Sequence, residues 1–496
     1  MNFKTIIFFI FFIGILMPIS ISGQKHTLSL SDAIEIAQAQ SYDAMAARLN
    51  FMSRYWSHRS YKAELLPSIN LSGGLMEFDR SMVQTRDYES GQIFYVENNT
   101  LSNSLSLSID QNIAPLGGTL SVQSYLHRLD QFSYGNRLYN SRPIRLSYTQ
   151  PLFAFNRLKW MKKTEPLKYD MAKRNYLEAM EGVGIEVVNL FFNVLSAQSN
   201  LRQAENNLKD RRSLLEIANK RFGIGTITKS ELLQLELSVL NAEVEVGDNK
   251  LFLRNNLFRL LSYLRIPSDI DVTLISPYTV TDIMMIEDDV IERALNNSSH
   301  NLQQKVSILE SEQSVAQAKG SRGLQMQIHS QLGFDKSGDS FAEVYRGMRD
   351  NEIVGLTFSL PIFDWGMGRG RVKMAEADLE ANKVRLQQAH EKYLQDLATD
   401  VQSFNTQTVQ CKNALKAQDI ANERYDITKR RFEAGSATVT DLNTAWQESE
   451  NARAQYVRLL QSYWSTYYSL RKSTLYDWVN NRDIEADFET LVNNSK

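Results

Sequence analysis

The sequence predicts a mainly α-helical fold with a membrane β-barrel, built from two internal repeats in which strands precede a long helical hairpin. Three observations predict this class. One turn sequence occurs twice, with Arg221 and Arg431 in equivalent positions 210 residues apart. Long segments without glycine or proline carry heptad patterns, and shorter segments alternate apolar with polar residues. Together these patterns indicate long helices and two-faced strands, arranged twice along one chain.

The first 23 residues are predicted to be an export signal. Lys4 precedes an apolar segment at residues 6–17, and small residues follow at Ser20 and Gly23. A segment of this length is shorter than the roughly 20 apolar residues of a membrane-spanning helix. We therefore expect the signal to be removed and the mature chain to be exported.

The mature chain is predicted to divide into a first repeat at residues 24–265 and a second at residues 266–476, followed by a C-terminal tail at 477–496. Each repeat opens with a helix, "SDAIEIAQAQSYD" at Ser31 and "DDVIERALNNSSH" at Asp288. The related openings indicate that the whole unit is duplicated, and not the turn alone.

Strands are predicted at about residues 67–152 in the first repeat and 324–362 in the second. Ile144, Leu146 and Tyr148 alternate with polar residues, as do other segments in both ranges. Such strands fit either a soluble sandwich or a barrel with a lipid-facing side. Aromatic residues at the strand-to-helix corners favour the barrel, because aromatic side chains mark bilayer interfaces. The predicted membrane-interface corners are Pro151, Phe153, Trp160, Pro361, Phe363 and Trp365.

The first repeat holds 47 more residues than the second between its opening helix and its last strand. The extra length includes a serine-rich strand near Leu105 and a candidate partner, "GTLSVQSYL", at Gly118–Leu126. An additional hairpin at residues 101–126 is therefore predicted. Periodicity leaves open whether it adds strands to the barrel or lies outside it.

The helical hairpins carry heptad seams. In the second repeat, one seam begins at Val372 and continues to Phe432, a length of roughly 90 Å if the helix is unbroken. After the first turn, two stripes run in parallel. Leu233, Leu237, Leu240, Val244, Gly247 and Leu251 form one, and Leu232, Val239, Val246, Leu253 and Leu260 form the other. Two apolar stripes on one helix predict two neighbouring helices.

The repeated turn predicts a helix end, a tight turn and a new helix start. Glycine can adopt the positive φ that ends a helix, and a threonine followed three residues later by an acid is a capping box. The turn residues are Phe222, Gly225, Thr228, Glu231 and Leu232 in the first copy and Phe432, Gly435, Thr438, Asp441 and Leu442 in the second.

Composition and motifs argue against catalysis and against nucleic-acid binding. The net charge of -2 gives no basic footprint for nucleic acid. The six histidines are scattered without metal-ligand spacing, and the single cysteine, Cys411, lies on a heptad seam where a buried structural thiol is expected. The sequence "GMGRG" at Gly366 lacks the spacing of a phosphate-binding loop. No enzyme activity, cofactor or metal is predicted.

The order of these motifs resembles the TolC-like outer-membrane efflux protein family. The resemblance covers the opening "LSLSDAIEIA", the corners "PLF" and "PIFD", and the two turns. It implies a homotrimer in which each chain gives four strands to one shared barrel in outer membrane lipid and its helices to a tunnel across the periplasm. It implies an exit duct for a tripartite efflux pump or type I secretion system, working with a periplasmic adaptor (membrane fusion protein) and an inner-membrane RND or ABC transporter.

The resemblance also places the two turns at the periplasmic tips, where the adaptor docks and the gate opens. Glu231 and Asp441 would then lie near the tunnel entrance. The family's second acidic gate position falls on Thr444 and its gate arginine on Ala437, so this chain departs from the pattern at both. Lys229 is a candidate replacement cation. The alternative function is a secreted coiled-coil structural or adhesin-like protein.

Overall fold

The structure is a computed structural model that describes residues 26–225, 227–267, 272–275, 280, 283–434 and 436–493. The export signal predicted for residues 1–23 lies outside the described residues. The helices are α1 (Leu30–Gln40), α2 (Tyr42–Glu64), α3 (Arg157–Gly223), α4 (Lys229–Leu264), α5 (Glu287–Asn297), α6 (His300–Arg322), α7 (Met367–Glu433), α8 (Val439–Thr474) and α9 (Phe488–Asn493). The strands are β1 (His26–Leu28), β2 (Ser68–Arg86), β3 (Ile93–Ile113), β4 (Gly118–Gln131), β5 (Asn136–Leu152), β6 (Val272–Leu274), β7 (Gln325–Gly338), β8 (Arg349–Ser359), β9 (Tyr476–Asp477) and β10 (Arg482–Asp483).

The two helical hairpins have matching lengths. α3 and α7 each contain 67 residues, and α4 and α8 each contain 36. The unbroken helix predicted from Val372 to Phe432 is confirmed within α7. α3 begins at Arg157 and contains Pro166. The helix therefore starts nine residues before the proline, earlier than the proline-free segment of the sequence alone would place it.

The chain forms two compact units. The first contains the residues up to Ala44, Gly182–Asp282 and Thr406–Tyr468; the second contains Met45–Glu181, Ile283–Asn405 and Ser469–Lys496.

The first unit is a helical bundle with a small parallel ladder between β1 and β6. Its core is built from large apolar side chains of α3, α4 and α8. The fully buried members include Phe191, Phe192, Leu260, Leu261, Leu264, Leu460, Tyr463 and Tyr467. One 18-residue window of α3 is long and apolar enough to cross a membrane, but 44% of it is buried, as in a helix that packs inside a protein core.

The two predicted apolar stripes of α4 differ in burial. Leu232, Val239 and Leu260 of one stripe are buried in the unit. The large side chains of the stripe that begins at Leu233 remain 50–64% exposed: Leu233, Leu237, Leu240, Val244 and Leu251. One neighbour of α4 is therefore present within the chain, and an apolar stripe is left uncovered.

The predicted burial of Cys411 is confirmed. Its side chain is fully buried, and burial raises the pKa of the thiol to about 11. The thiol is therefore protonated at neutral pH and packs as a small apolar group.

The second unit contains a six-stranded sheet in the order β2-β3-β4-β5-β7-β8, with every neighbouring pair antiparallel. The hairpin predicted at residues 101–126 forms paired strands, because β3 and β4 are hydrogen-bonded from Thr100 opposite Gln131 to Ile113 opposite Gly118. The sheet of one chain has six strands, two more than the four that the family resemblance implied for each chain's share of the barrel. The additional residues of the first repeat supply the difference.

The C-terminal tail packs against helices of the second unit. Val492 of α9 is buried with Phe51 of α2 and Tyr176 of α3. Arg471, in the last turn of α8, donates to the carboxylates of Glu181 and Asp477. These contacts give the tail a fixed place in the unit.

Candidate functional site

The first hairpin turn joins α3 to α4. Gly225 has a φ of +76°, and its amide donates to the carbonyl of Phe222 at 3.0 Å. The Thr228 hydroxyl accepts from the Glu231 amide at 3.2 Å, and the Thr228 amide donates to the Glu231 carboxylate at 2.7 Å. Both the predicted positive φ and the predicted capping box are confirmed in this turn.

The second hairpin turn joins α7 to α8. The Thr438 hydroxyl accepts from the Asp441 amide at 3.1 Å, and the Thr438 amide donates to the Asp441 carboxylate at 2.9 Å. The amide of Ser436 donates to the carbonyl of Arg431 at 2.8 Å, which closes the end of α7. The second turn thus has the same reciprocal cap as the first. Gly435 lies outside the described residues.

Capping lowers the pKa of both turn carboxyl groups. For Glu231 the causes are the hydrogen bonds from the amide and then the hydroxyl of Thr228. For Asp441 they are the equivalent bonds from Thr438, with a smaller attraction from Arg431. Both carboxyl groups are exposed and ionised at neutral pH, so each turn contains a carboxylate in its charged form.

The aromatic residues of the two turns differ in burial. Phe432 is 7% exposed, whereas Phe222 is 41% exposed and is followed by Ile224, which is 76% exposed. Leu232 and Leu442 are buried in both turns. The second turn is therefore packed on its own unit, and the first presents an apolar surface.

Departures from the expected gate residues have visible consequences. The hydroxyl of Thr444 donates to the carbonyl of Thr440 within α8. The Lys229 ammonium lies 5.6 Å from the centre of the Phe222 ring, within cation–π range. The bonds from Thr438 lower the pKa of Asp441 most, and the nearby Arg431 adds a smaller attraction.

A polar contact between α3 and α7 lies before the turns. The Tyr425 hydroxyl donates to the Asp210 carboxylate at 2.7 Å, and the Lys429 ammonium lies 2.8 Å from the same carboxylate. Burial, followed by the neighbouring Asp210, raises the pKa of Tyr425, so the phenol remains a donor. We call Asp210, Tyr425 and Lys429 the Asp210 latch.

Sequence reasoning missed the latch, although the repeat contained a signal for it. At the 210-residue offset, Tyr425 aligns with Leu215 and Lys429 with Asn219. Two polar replacements four residues apart lie on one helix face, which indicates a special contact in the second copy. Asp210 aligns in the same way with Ile420, so the acid also departs from the repeat pattern.

A second set of contacts joins α8 to α3 in the same unit. The Arg211 guanidinium lies 5.7 Å from the centre of the Trp446 ring. Arg453 donates to the carbonyl of Ser199 at 2.8 Å. The C-terminal part of α3 therefore contacts both α7 and α8.

The predicted membrane-interface corners place large aromatic side chains on the surface of the second unit. Phe153, Phe363 and Trp365 are 71–88% exposed, and Trp365 stacks edge-on against Phe363 with ring centres 4.5 Å apart. Phe153 and Trp365 have φ values of +60° and +53°, which are uncommon for bulky residues. The backbone therefore holds these rings outward at a conformational cost.

The remaining corner residues are less exposed or lie in the strands. Trp160 is half-buried, with the Lys163 ammonium 4.7 Å from its ring centre. Pro151 lies near the end of β5, opposite Gln327 of β7, and Pro361 follows β8.

The "GMGRG" corner is held by a carboxylate of the chain itself. The amides of Gly366 and Gly368 donate to Asp364 at 2.9 and 2.7 Å, and these bonds lower the pKa of that carboxyl. An anion at this helix start is thus already supplied, which accounts for the glycine-rich sequence without a phosphate ligand.

Comparisons with known proteins agree with this arrangement. The sequence model of the family described as Outer membrane efflux protein matches residues 33–264 and 290–474. Outer membrane protein TolC of Escherichia coli (strain K12) is 23% identical over 343 residues, covering 64% of this chain and 67% of the relative. Outer membrane protein TolC of Salmonella enteritidis is 22% identical over 338 residues, with the same coverage of 64% and 67%.

A solved structure shows the same fold at lower sequence identity. The CmeC outer membrane channel of Campylobacter jejuni superposes with a TM-score of 0.66 at 16% identity, covering 94% of this chain and 88% of that chain.

Proposed function

Because the chain belongs to the outer membrane efflux protein family, and is therefore a TolC-like efflux channel of the outer membrane, we propose that it is the passive exit duct of a tripartite pump or a type I secretion system. Substrate would enter at the periplasmic helix tips, pass through a tunnel of helices and leave through the membrane barrel. An inner-membrane RND or ABC transporter would supply the energy, and a periplasmic adaptor would open the tips.

The observation that carries this proposal is the Asp210 latch beside two capped turns. Tyr425 lies eight residues before the end of α7, a rise of about 12 Å. Capped turns keep each hairpin intact, whereas the latch is a small number of polar bonds between different hairpins. Breaking it would remove this contact between α7 and α3 and leave the backbone hydrogen bonds of both helices in place. We assign the latch to the closed state of the gate.

Assembly as a homotrimer is supported by the uncovered stripe of α4. Leu237, Leu240 and Val244 are each more than half exposed on a helix whose other stripe is buried. Apolar stripes of this length are seams for another helix, and a second copy of the chain is the partner that a cyclic channel provides.

The first turn is the proposed docking surface for the adaptor. Phe222 and Ile224 are exposed together at the end of a hairpin, with Lys229 beside them. Exposed aromatic and aliphatic side chains with a charged neighbour are typical of protein interfaces. The second turn, with Phe432 buried, is the proposed gate element.

Negative charge at the tips has a further proposed role. Three copies of Asp441 would form a ring of carboxylates at the tunnel entrance, which favours cations. We expect Asp441→Asn to reduce the preference for cations in planar bilayers, measured as the reversal potential in a salt gradient. An unchanged reversal potential would leave Asp441 with its capping role alone.

The exposed corners support the placement of the sheet in lipid. Phe153, Phe363 and Trp365 would lie at the periplasmic border of the bilayer, where amphipathic and aromatic rings are favoured. The alternative of a secreted coiled-coil structural protein is set aside, since the family consists of outer-membrane channels.

Single-channel conductance in planar bilayers tests the proposal. Tyr425→Phe removes the hydroxyl that donates to Asp210 and should raise the conductance of the resting channel. The matched control is Tyr393→Phe. Tyr393 is also in α7, about 48 Å from Tyr425 along the helix axis, and the substitution removes a hydroxyl that donates to Ser298. The control should leave conductance unchanged. Equal conductance of Tyr425→Phe and the native protein would overturn the gate assignment.

A further inference from the structure

The additional hairpin of the first repeat lies in the same sheet as the strands that the family resemblance implied. β3 and β4 are paired along 14 positions, and β4 continues to β5 along 12. The ladder then passes to β7 and β8 without interruption of the strand order. A hairpin folded away from the sheet would not be hydrogen-bonded to the other strands, whereas β3 and β4 are paired with neighbours on both sides.

One face of the sheet carries an apolar row that crosses the additional strands. Directly opposite residues share a face of an antiparallel sheet. The row runs from Ile69 through Ile109, Val122 and Leu146 to Leu332, in β2, β3, β4, β5 and β7. These side chains are 39–70% exposed in the single chain. The apolar surface is therefore continuous over five strands and uncovered.

The opposite face is polar over the same strands. Asp110 of β3 accepts from Asn70 of β2 at 3.1 Å and from Ser121 of β4. Gln123 of β4 accepts in turn from Arg145 of β5. Strands with an apolar outer face and a polar inner face are the pattern of a membrane barrel wall. β3 and β4 have this pattern where Leu105 and Ile109 lie opposite Leu126 and Val122.

The base of the additional hairpin is tied to the helical end of the sheet. Asn156 donates to the carbonyl of Ala114 at 2.9 Å, and Gln150 donates to the carbonyl of Leu116 at 2.8 Å. Near the end of β3, Gln111 donates to the carbonyl of Leu65, just after α2, at 3.1 Å. The turn between β3 and β4 thus lies beside the corner where β5 becomes α3.

The two edges of the sheet complement each other. Within the described residues, β2 and β8 are the end strands, and their outer backbone groups have no strand partner. Six strands that alternate in direction leave β8 antiparallel to β2 of another copy. Unpaired backbone groups cannot remain in lipid, so the sheet has to continue into a neighbouring chain.

We infer that all six strands form the membrane wall and that β8 of one chain pairs with β2 of a second copy. With the trimer of the proposed function, on which this inference rests, three sheets of six strands close a barrel of 18. Such a barrel is roughly one and a half times as wide as one of 12 strands, because diameter grows about linearly with strand number. The barrel is then an open aqueous channel and the helix tips alone control passage.

Cysteine labelling of the trimer in lipid nanodiscs tests the position of the additional strands. Leu107→Cys and Ser106→Cys report the apolar and polar faces of β3, and Leu356→Cys and Thr357→Cys report the same faces of β8. Native Cys411 is fully buried, which keeps the background low. A water-soluble maleimide should label the two polar-face variants and fail to label the two apolar-face variants.

The outcomes separate this inference from the proposed function. Labelling of Leu107→Cys with protection of Leu356→Cys would place the hairpin outside the wall and overturn the inference, while the channel would stand. Labelling of both would argue against a membrane barrel altogether. Leu105→Cys and Ser104→Cys repeat the β3 measurement if either variant fails to form trimers.

Disulfide trapping tests the contact between copies. Leu71→Cys of β2, combined in turn with Val354→Cys, Leu356→Cys or Phe358→Cys of β8, should give covalent dimers and trimers on oxidation for at least one pair. The control combines Leu107→Cys of β3 with the same β8 positions, and β2 should shield it from the neighbouring chain. Crosslinking of the β3 pairs in place of the β2 pairs would overturn the inference.

Discussion

The two hairpin turns share a local sequence code but not their surroundings. Both have a threonine whose hydroxyl and amide exchange hydrogen bonds with an acid three residues later. Phe432 of the second turn is buried, whereas Phe222 of the first is 41% exposed. The comparison shows that the duplicated sequence sets the local hydrogen bonds of both turns, while the packing of the whole unit sets how far each phenylalanine is buried.

The difference between the turns follows departures from repeat symmetry. Tyr425 and Lys429 replace Leu215 and Asn219 of the first copy and give the second hairpin its bonds to Asp210. The capping hydrogen bonds are therefore common to both turns, and the contact with Asp210 is made by the second hairpin.

The largest expected effect concerns the two phenylalanines. Phe432→Ala should lower the free energy of unfolding by about 3–5 kcal/mol, because it removes a buried aromatic side chain. Phe222→Ala should lower it by only about 1 kcal/mol, since 41% of that side chain is already exposed. Thermal and denaturant unfolding of the detergent-solubilised protein, followed by circular dichroism, measures both. Equal losses would remove the distinction between a packed and a free turn.

The next effect concerns the glycine of the first turn. Gly225→Ala should destabilise by about 1–2 kcal/mol, because its φ of +76° is unfavourable for a residue with a Cβ. Gly370→Ala is the matched control: this glycine lies in α7, away from the uncovered stripe of α4, and a Cβ there meets open space. The control should stabilise by about 0.5–1 kcal/mol. If the two variants change the free energy of unfolding in opposite directions in the same denaturation assay, the positive φ of the turn is the reason that Gly225 must be glycine.

A smaller effect, shared by both turns, is expected at the caps. Thr228→Ala and Thr438→Ala should each cost about 1 kcal/mol. Hydrogen exchange at the first-turn amides of α4 and α8 resolves the two sites, and comparable loss of protection at both supports the shared code. Protection lost at only one turn would show that the capping bonds are not equivalent.

The caps should also depend on pH. Folding lowers the pKa of Glu231 and Asp441, so their contribution is present above the ordinary carboxyl pKa of about 4 and is lost as pH falls through the lowered values. The difference between each threonine variant and the native chain should therefore shrink toward pH 2. A difference independent of pH would mean that the carboxylates do not take part.

The smallest expected effect is at Lys229. Its ammonium lies over the exposed ring of Phe222, and Lys229→Met should cost about 0.5 kcal/mol in stability. Lys429→Met makes the matched change in the second hairpin, where the lysine binds Asp210. It should raise channel conductance, whereas Lys229→Met should not. Reversal of this order would assign the gate to the first turn.

Much of the fold could be predicted from periodicity. The absence of glycine and proline after Arg371 and the heptad seam predicted α7, and alternation predicted the strands near Leu146 and Leu356. The extra length of the first repeat predicted the additional hairpin, but alternation could not say whether it joined the sheet. Strand pairing decides that, and pairing depends on contacts distant in sequence.

The candidate site was predictable only in its local part. Capping boxes are encoded within four residues, so both turns could be read from the chain. Asp210 lies more than 200 residues from Tyr425, and only the fold brings the two together. The burial of Phe432 and exposure of Phe222 likewise come from the packing of whole helices, because the two residues have the same local sequence pattern.

The central claim is that the second hairpin is held closed by Asp210, and a double-mutant cycle on conductance tests it most directly. Single-channel conductance is measured in planar bilayers for Tyr425→Phe, Asp210→Asn and the double variant. If the two side chains act through one bond, both single variants open the resting channel and the double variant adds little to either. Independent, additive increases, or no increase in any variant, would contradict the account.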